Sequence, residues 1–90
     1  MIDELYKVIV SRKKNSPKNS YVGSLFQSGT DRIIQKVGEE AVEVVIAAKN
    51  KKKDEIISEV ADLLFHVLIL LAAFEITPKE IFSELQKRRK

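Results

Sequence analysis

The chain is predicted to be a single all-α domain of about five helices, on three observations. Apolar residues recur at helical spacing along the chain, and no alternating strand pattern appears. The stretch Thr77-Pro78-Lys79-Glu80 pairs a capping threonine with proline at the first helical position and glutamate at the third, a helix start signal. The apolar run from Leu63 to Phe74, interrupted only by His66, has the length of a buried core helix and falls short of a membrane span.

Taken in order, Ile2, Leu5, Tyr6, Ile9 and Val10 give a first helix ending near Lys13. Asn15-Ser16-Pro17-Lys18-Asn19 is a loop by composition. Ser20 caps a short second helix through Phe26, stopped by Gly29. Thr30 and Asp31 open a third helix that runs to about Lys49, with Gly38 inside it at a cost of roughly 1 kcal/mol relative to alanine. A close approach to the backbone or a helix–helix contact would each account for that glycine. Asn50-Lys51-Lys52-Lys53 is a short turn, so the third and fourth helices are antiparallel neighbours. Asp54 and Glu55 begin the fourth helix, which extends to about Phe74, and the fifth carries Ile81, Phe82 and Leu85 inward.

Ninety residues make one domain, spanning 1–90, and the 32% charged and 44% apolar content is that of a globular chain. Without cysteine, neither a disulfide framework nor a thiolate zinc site nor a cysteine nucleophile is available. The start Met1-Ile2-Asp3-Glu4 lacks the basic-then-apolar order of a signal peptide, and a cytoplasmic location is expected with no membrane partner. The net charge of +3 is concentrated in Arg12-Lys13-Lys14 with Lys18 and in Lys87-Arg88-Arg89-Lys90. Such clusters bind polyanions or favour helix C-termini, yet no nucleic-acid recognition motif accompanies them, and no nucleic-acid partner is expected. The fourth helix is apolar around its whole circumference from Leu63 to Phe74. So short a chain has few helices to cover it. A homodimer is therefore expected, in which the third and fourth helices complete a four-helix-bundle core with their partners.

Two segments place acids where a core should be. With Val37 as the core direction, Val37, Ala41, Val44 and Ala48 form the apolar stripe of the third helix. Glu40 then lies about 60° off that stripe, Glu43 about 120° and Glu39 about 160°, all on one side, with Lys36 among them. On the fourth helix Glu59, Asp62 and His66 share an arc of about 60° that continues into Leu70 and Ala73. The antiparallel turn brings Glu40 and Glu43 opposite Glu59 and Asp62, each motif roughly 10 Å from the turn. Two carboxylates 4 Å apart repel by about 4 kcal/mol at an effective dielectric of 20. Four of them need protons, arginines or a metal. A set without thiolates or paired histidines suits a hard cation, Mg²⁺ before Mn²⁺ or Ca²⁺, and carboxylate-held Mg²⁺ usually binds substrate phosphates as well.

The order E-x-x-E then E-x-x-D, here Glu40, Glu43, Glu59 and Asp62, resembles the MazG-type all-α nucleotide pyrophosphohydrolases. Four further stretches sharpen the resemblance: Ser20-Tyr21, Lys36-Val37-Gly38-Glu39-Glu40-Ala41-Val42-Glu43, Ala47-Ala48-Lys49, and Glu59-Val60-Ala61-Asp62-Leu63-Leu64-Phe65-His66. Together they are similar to the phosphoribosyl-ATP pyrophosphohydrolase family of histidine biosynthesis. The resemblance covers about Ser20 to Leu85. It implies a MazG-like helical fold and Mg²⁺-dependent hydrolysis of 1-(5-phosphoribosyl)-ATP to 1-(5-phosphoribosyl)-AMP and pyrophosphate. One departure is Ser24, where the family usually carries a basic residue, so that a phosphate contact is lost or taken over by Lys18 or Arg32.

On that reading Glu40, Glu43, Glu59 and Asp62 hold the metal, and Glu39 orients or deprotonates the attacking water. Lys36, Ser20, Tyr21, Arg32 and His66 are the substrate-binding candidates. Four of them have a plainer role: an intrahelical ion pair for Lys36, capping and packing for Ser20 and Tyr21, a satisfied core position for His66. A MazG-like hydrolase of ordinary or damaged nucleoside triphosphates would use the same metal site. Turnover of dNTPs but not of phosphoribosyl-ATP would distinguish it.

Overall fold

The computed structural model describes residues 1–89 and contains five α-helices: α1 (Ile2–Lys14), α2 (Tyr21–Ser28), α3 (Thr30–Lys49), α4 (Lys53–Ala73) and α5 (Pro78–Lys87). All five expected helices form, with ends within a residue or two of those read from the sequence, but Ile81, Phe82 and Leu85 of the last are exposed in the single chain instead of turned inward. No strand occurs among the described residues. The capping box at Thr77 is present, with the Thr77 N–H donating to Glu80 Oε2 at 2.8 Å. Ser20 caps α2 by accepting from the Gly23 N–H at 3.0 Å.

α3 and α4 form a long antiparallel hairpin, and the remaining helices cover only one end of it. Ile9 of α1, Ile33 of α3 and Ile69 of α4 are the largest fully buried side chains, with Val22, Leu25, Leu68, Leu71 and Ala72 around them. Core therefore gathers at the start of α3 and the end of α4, where α1 and α2 pack. Toward the turn the hairpin projects as a two-helix arm. The radius of gyration of 14.2 Å exceeds the roughly 12 Å expected for a compact chain of this length. Along the arm Val42, Val45 and Ile57 remain 57, 59 and 58% exposed.

The end of α4 is closed by backbone geometry that composition does not announce. Glu75 adopts φ 57°, the left-handed region normally given to glycine. It lets the Ile76 N–H reach Leu71 O at 2.9 Å and the Glu75 N–H reach Ala72 O at 3.2 Å, a Schellman closure. Leu71 is buried in the core, and Ile76 packs against the same cluster. From α1, Tyr6 donates to Ile76 O at 2.6 Å and Lys13 donates to Ala72 O at 3.0 Å. Two polar contacts thus tie the first helix to the last turn of the fourth and to the segment that follows it.

One expectation for α3 needs adjustment. Its inward face runs Ile33, Val37, Glu40, Val44 and Ala47, whereas Ala48 is exposed. The stripe is rotated by about 50° from the one drawn through Val37 and Ala48, toward Glu40. Apolarity alone set the expected direction. The packed helix takes a carboxylate inward because α4 presents polar groups at that height. Gly38 faces open space, with nothing within 4 Å of where a Cβ would stand, so neither proposed reason for it operates within one protomer.

Candidate functional site

The acidic groove lies between α3 and α4 where the packed end gives way to the projecting arm. Glu40, Asp62 and His66 each offer a ligand atom within 4.8 Å of the others. Glu40 is 8% exposed and His66 3% exposed, both unusual for polar side chains. Asp62 is half-buried. The expected meeting of E-x-x-E with E-x-x-D across the hairpin is therefore found at its inner end.

Its outer end is more open. Glu43 and Glu59 line a hollow of about 310 Å³ with Glu55, Ser58, Ile46 and Ala47. Burial raises the Glu59 carboxyl above its ordinary value, and the neighbouring charges of Glu43, Asp62, Glu40 and Glu55 raise it further. All the expected metal ligands are thus within electrostatic reach of Glu59. By sequence position Glu55 is a helix-start acid. Its place one turn before Glu59, on the face that leads to Asp62 and His66, is a helical-spacing signal available in the sequence.

Lys36 stands beside these acids. Its ammonium lies 3.4 Å from Glu39 Oε1 and 3.4 Å from Glu40 Oε1. Burial alone would lower its pKa, but the Tyr21 oxygen and hydrogen bonds to Glu40 and Glu39 outweigh this and hold it above the ordinary value. The intrahelical ion pair considered from sequence therefore forms, and it stands beside the acidic cluster. Glu39 points to the outer rim, where Gln35 donates to it at 2.8 Å and Arg32 lies 3.9 Å away. The Gln35 hydrogen bond, with Lys36 and Arg32, lowers the Glu39 carboxyl despite some burial. A carboxylate so held stays ionised and suits orienting a water better than storing a proton. No motif marks Gln35, although it lies four residues before Glu39.

α2 delivers Tyr21 to the same place. Its hydroxyl is 2.7 Å from His66 Nε2, and the two rings meet edge to face at 5.8 Å. The other ring nitrogen, Nδ1, is 2.8 Å from the Asp62 backbone oxygen and 3.4 Å from Asp62 Oδ1. α2 is seated by a close approach: a Cβ on Gly23 would fall 2.5 Å from Ser16 Cβ, so only glycine fits under the preceding loop. Ser20 is engaged in capping, and Ser24 donates to Tyr21 O at 2.6 Å, so both hydroxyls have partners on their own helix. Arg32 reaches the rim through Glu39, and Lys18 is exposed on the loop before α2.

The donor set fits a hard divalent cation. Carboxylates from two helices converge, and burial together with the charges of the neighbouring acids raises the Glu59 carboxyl. His66 belongs less well to that set. A backbone carbonyl can only accept, so Nδ1 carries a hydrogen, and the Tyr21 hydroxyl stands 2.7 Å from Nε2, on the side a cation would need.

Comparison with known proteins places this arrangement in a family. The model of the family described as phosphoribosyl-ATP pyrophosphohydrolase matches residues 2–89. The chain is 56% identical over 88 residues to a phosphoribosyl-ATP pyrophosphatase of Trichlorobacter lovleyi, covering 98% of this chain and 82% of the relative. It is 49% identical over 90 residues to the phosphoribosyl-ATP pyrophosphatase of Clostridium novyi, covering 100% of this chain and 82% of the relative. It is also 49% identical over 90 residues to the histidine biosynthesis bifunctional protein HisIE of Caldanaerobacter subterraneus, where it covers 44% of that longer protein.

Proposed function

Because the chain belongs to the phosphoribosyl-ATP pyrophosphohydrolase family, we propose that it hydrolyses 1-(5-phosphoribosyl)-ATP to 1-(5-phosphoribosyl)-AMP and pyrophosphate, a step of histidine biosynthesis. The observation that carries this reading is the convergence of Glu40 and Asp62 from opposite helices beside Lys36. Cleavage of a phosphoanhydride asks mainly for charge neutralisation on the polyphosphate and an oriented water, with little covalent help.

Glu40, Glu43, Glu59 and Asp62 would hold Mg²⁺. When bound, the cation supplies Lewis-acid polarisation of the polyphosphate and offsets its negative charge. The chain's own residues do the rest. Lys36, fixed between Glu39 and Glu40, offers its ammonium to a phosphate oxygen. Glu39, ionised and braced by Gln35 and Arg32, orients the water at the rim. Arg32, exposed and 3.9 Å from Glu39, would take the phosphate contact that Ser24 does not supply.

The working unit is a homodimer. Val42, Val45, Ile57, Val60 and Leu64 lie exposed along the arm, and Ile2, Leu64, Val67, Leu71, Ile81 and Phe82 line a groove whose surface is apolar. Each such side chain, once fully buried, contributes about 1.5–3 kcal/mol. A second hairpin packed on the arm would complete a four-helix bundle and set the acidic grooves near the boundary between subunits. α4 is long and apolar enough to cross a membrane by length and composition. In this fold its second half packs against α1 and α3 instead, and a soluble cytoplasmic enzyme is the reading that agrees.

The deciding experiment is release of pyrophosphate from phosphoribosyl-ATP, run beside a dNTP panel, with Mg²⁺ and with EDTA. Turnover of phosphoribosyl-ATP that EDTA abolishes is expected. Turnover of dNTPs alone, or full activity in EDTA, would overturn the substrate or the metal respectively.

A further inference from the structure

On α4, Ile57, Val60, Leu64, Val67 and Leu71 recur at alternating intervals of three and four residues and fall within about 80° of one another. That is the spacing of a seam between two helices. It lies across the helix from Asp62 and His66, and so faces away from the acidic groove. The two ends of the seam differ. Ile57 and Val60 are exposed on the projecting arm. Past Leu64 the seam enters the apolar groove, where Ile2, Pro78, Ile81 and Phe82 stand around Val67 and Leu71. Leu64, exposed and at the mouth of the groove, is the midpoint.

An apolar ridge and an apolar groove at opposite ends of one seam make the surface complementary to a second copy of itself running the other way. With Leu64 against Leu64 at the two-fold axis, Ile57 falls over the partner's Leu71 and Val60 over the partner's Val67. A parallel pair would set ridge on ridge and leave both grooves empty. Gly38 belongs to the same level. Glu40 and Asp62 meet across the antiparallel hairpin, and Gly38 and Leu64 each lie two residues further from the turn between α3 and α4. Gly38 shares an arc of about 60° with the exposed Val42 and Val45 and has nothing within 4 Å of where a Cβ would stand. A glycine there lets another backbone approach closely.

We propose that the homodimer of the preceding subsection, on which this inference rests, is antiparallel through α4. Leu64 lies on the two-fold axis, Gly38 marks the closest approach, and the arm of each chain is seated in the apolar groove of its partner. This gives the exposed Ile81 and Phe82 of α5 an occupant to cover. It also braces the arm that carries Glu43 and Glu59, the outer half of the acidic groove, which the other helices of the chain leave uncovered.

The chain has no cysteine, so a single introduced thiol is a clean reporter of the register. Under mild oxidation Leu64→Cys should form a covalent homodimer. Ile57→Cys should not, because its two copies lie about 21 Å apart along the axis and a disulfide spans at most about 7 Å between Cα atoms. Val60→Cys mixed with Val67→Cys should give the crossed dimer, a second reading should Leu64→Cys weaken assembly. Gly38→Leu should raise the dimer dissociation constant about tenfold or more while far-ultraviolet circular dichroism keeps its helix signal. Self-cross-linking of Ile57→Cys, or failure of both Leu64→Cys and the crossed pair in a dimeric protein, would overturn the register. A Gly38→Leu dimer as tight as the parent would remove Gly38 from the contact and overturn the closest approach. Sedimentation equilibrium of the unmodified protein separates the two failures: a monomer at micromolar concentration refutes the homodimer itself, and a dimer with the wrong cross-links refutes this arrangement alone.

Discussion

Lys36 and Glu40, one turn apart on α3 and 3.4 Å apart at their charged ends, form a mostly buried ion pair at the inner end of an acidic groove. Glu40 has no comparable access to water, so the lysine is its main compensation in the absence of a divalent cation. Removing one member of such a pair leaves an uncompensated charge, which is the expensive case.

Lys36→Met should therefore destabilise the metal-free protein by about 1–3 kcal/mol, the cost of an unsatisfied buried polar group. Mg²⁺ should restore part of that stability because it supplies the missing positive charge. Activity should fall even when Mg²⁺ is saturating, since the phosphate contact is lost. Denaturant melts with and without Mg²⁺, at one protein concentration, read the effect. Equal stability of the variant and the parent without Mg²⁺ would contradict it.

A pH dependence follows from Glu59, whose carboxyl is raised by burial and by Glu43, Asp62, Glu40 and Glu55. A raised folded-state pKa means that the protonated form is the one favoured by folding. This contribution is fully present below the ordinary carboxylate value and is lost as pH rises through the folded value. Glu39, lowered chiefly by the Gln35 hydrogen bond, works oppositely and loses its contribution as pH falls through its own depressed value. Without metal, Glu59→Gln should melt higher than the parent at neutral pH and lose that advantage near pH 4. Mg²⁺ should invert the ranking at neutral pH, because it binds the ionised carboxylate. The measurement is melting temperature against pH, with Mg²⁺ and with EDTA.

Assembly is tested on the arm. Val45 is 59% exposed in the single chain and lies outside the buried core. Val45→Lys should leave the fold of one protomer intact yet separate the dimer, and activity should fall with dissociation. Leu70→Glu, which falls among side chains packed against the core, should unfold the chain as well. Sedimentation equilibrium with far-ultraviolet circular dichroism separates the two outcomes. A Val45→Lys protein that stays dimeric would exclude the arm as the interface.

At the end of α4, Glu75 holds φ 57° without being glycine. Glu75→Gly should stabilise the protein by about 0.5–1 kcal/mol, since glycine adopts this conformation without a Cβ clash. Chemical denaturation at fixed protein concentration reads it. Destabilisation would mean that the Glu75 side chain contributes more than its backbone strain costs.

The sequence by itself determined all five helices, because each rests on local chemistry: helical spacing of apolar residues, the Ser20 cap, the Thr77-Pro78-Lys79-Glu80 box and the short turn at Asn50. It also determined that the two acidic motifs face one another, since an antiparallel hairpin of known rise leaves them at one height. Tertiary structure decided the rest. The direction of α3 was settled by what α4 presents to it, which turned Glu40 inward and Ala48 outward. The contact between Tyr21 and His66 joins residues 45 positions apart, and no local pattern specifies it. The same holds for the closure of α4 at Glu75, which a glycine rule does not find, and for Tyr6 and Lys13 reaching its carbonyls. Helices are written in near neighbours along the chain. Which face each one turns inward, and which hydrogen on which atom meets which lone pair, is decided only when they pack.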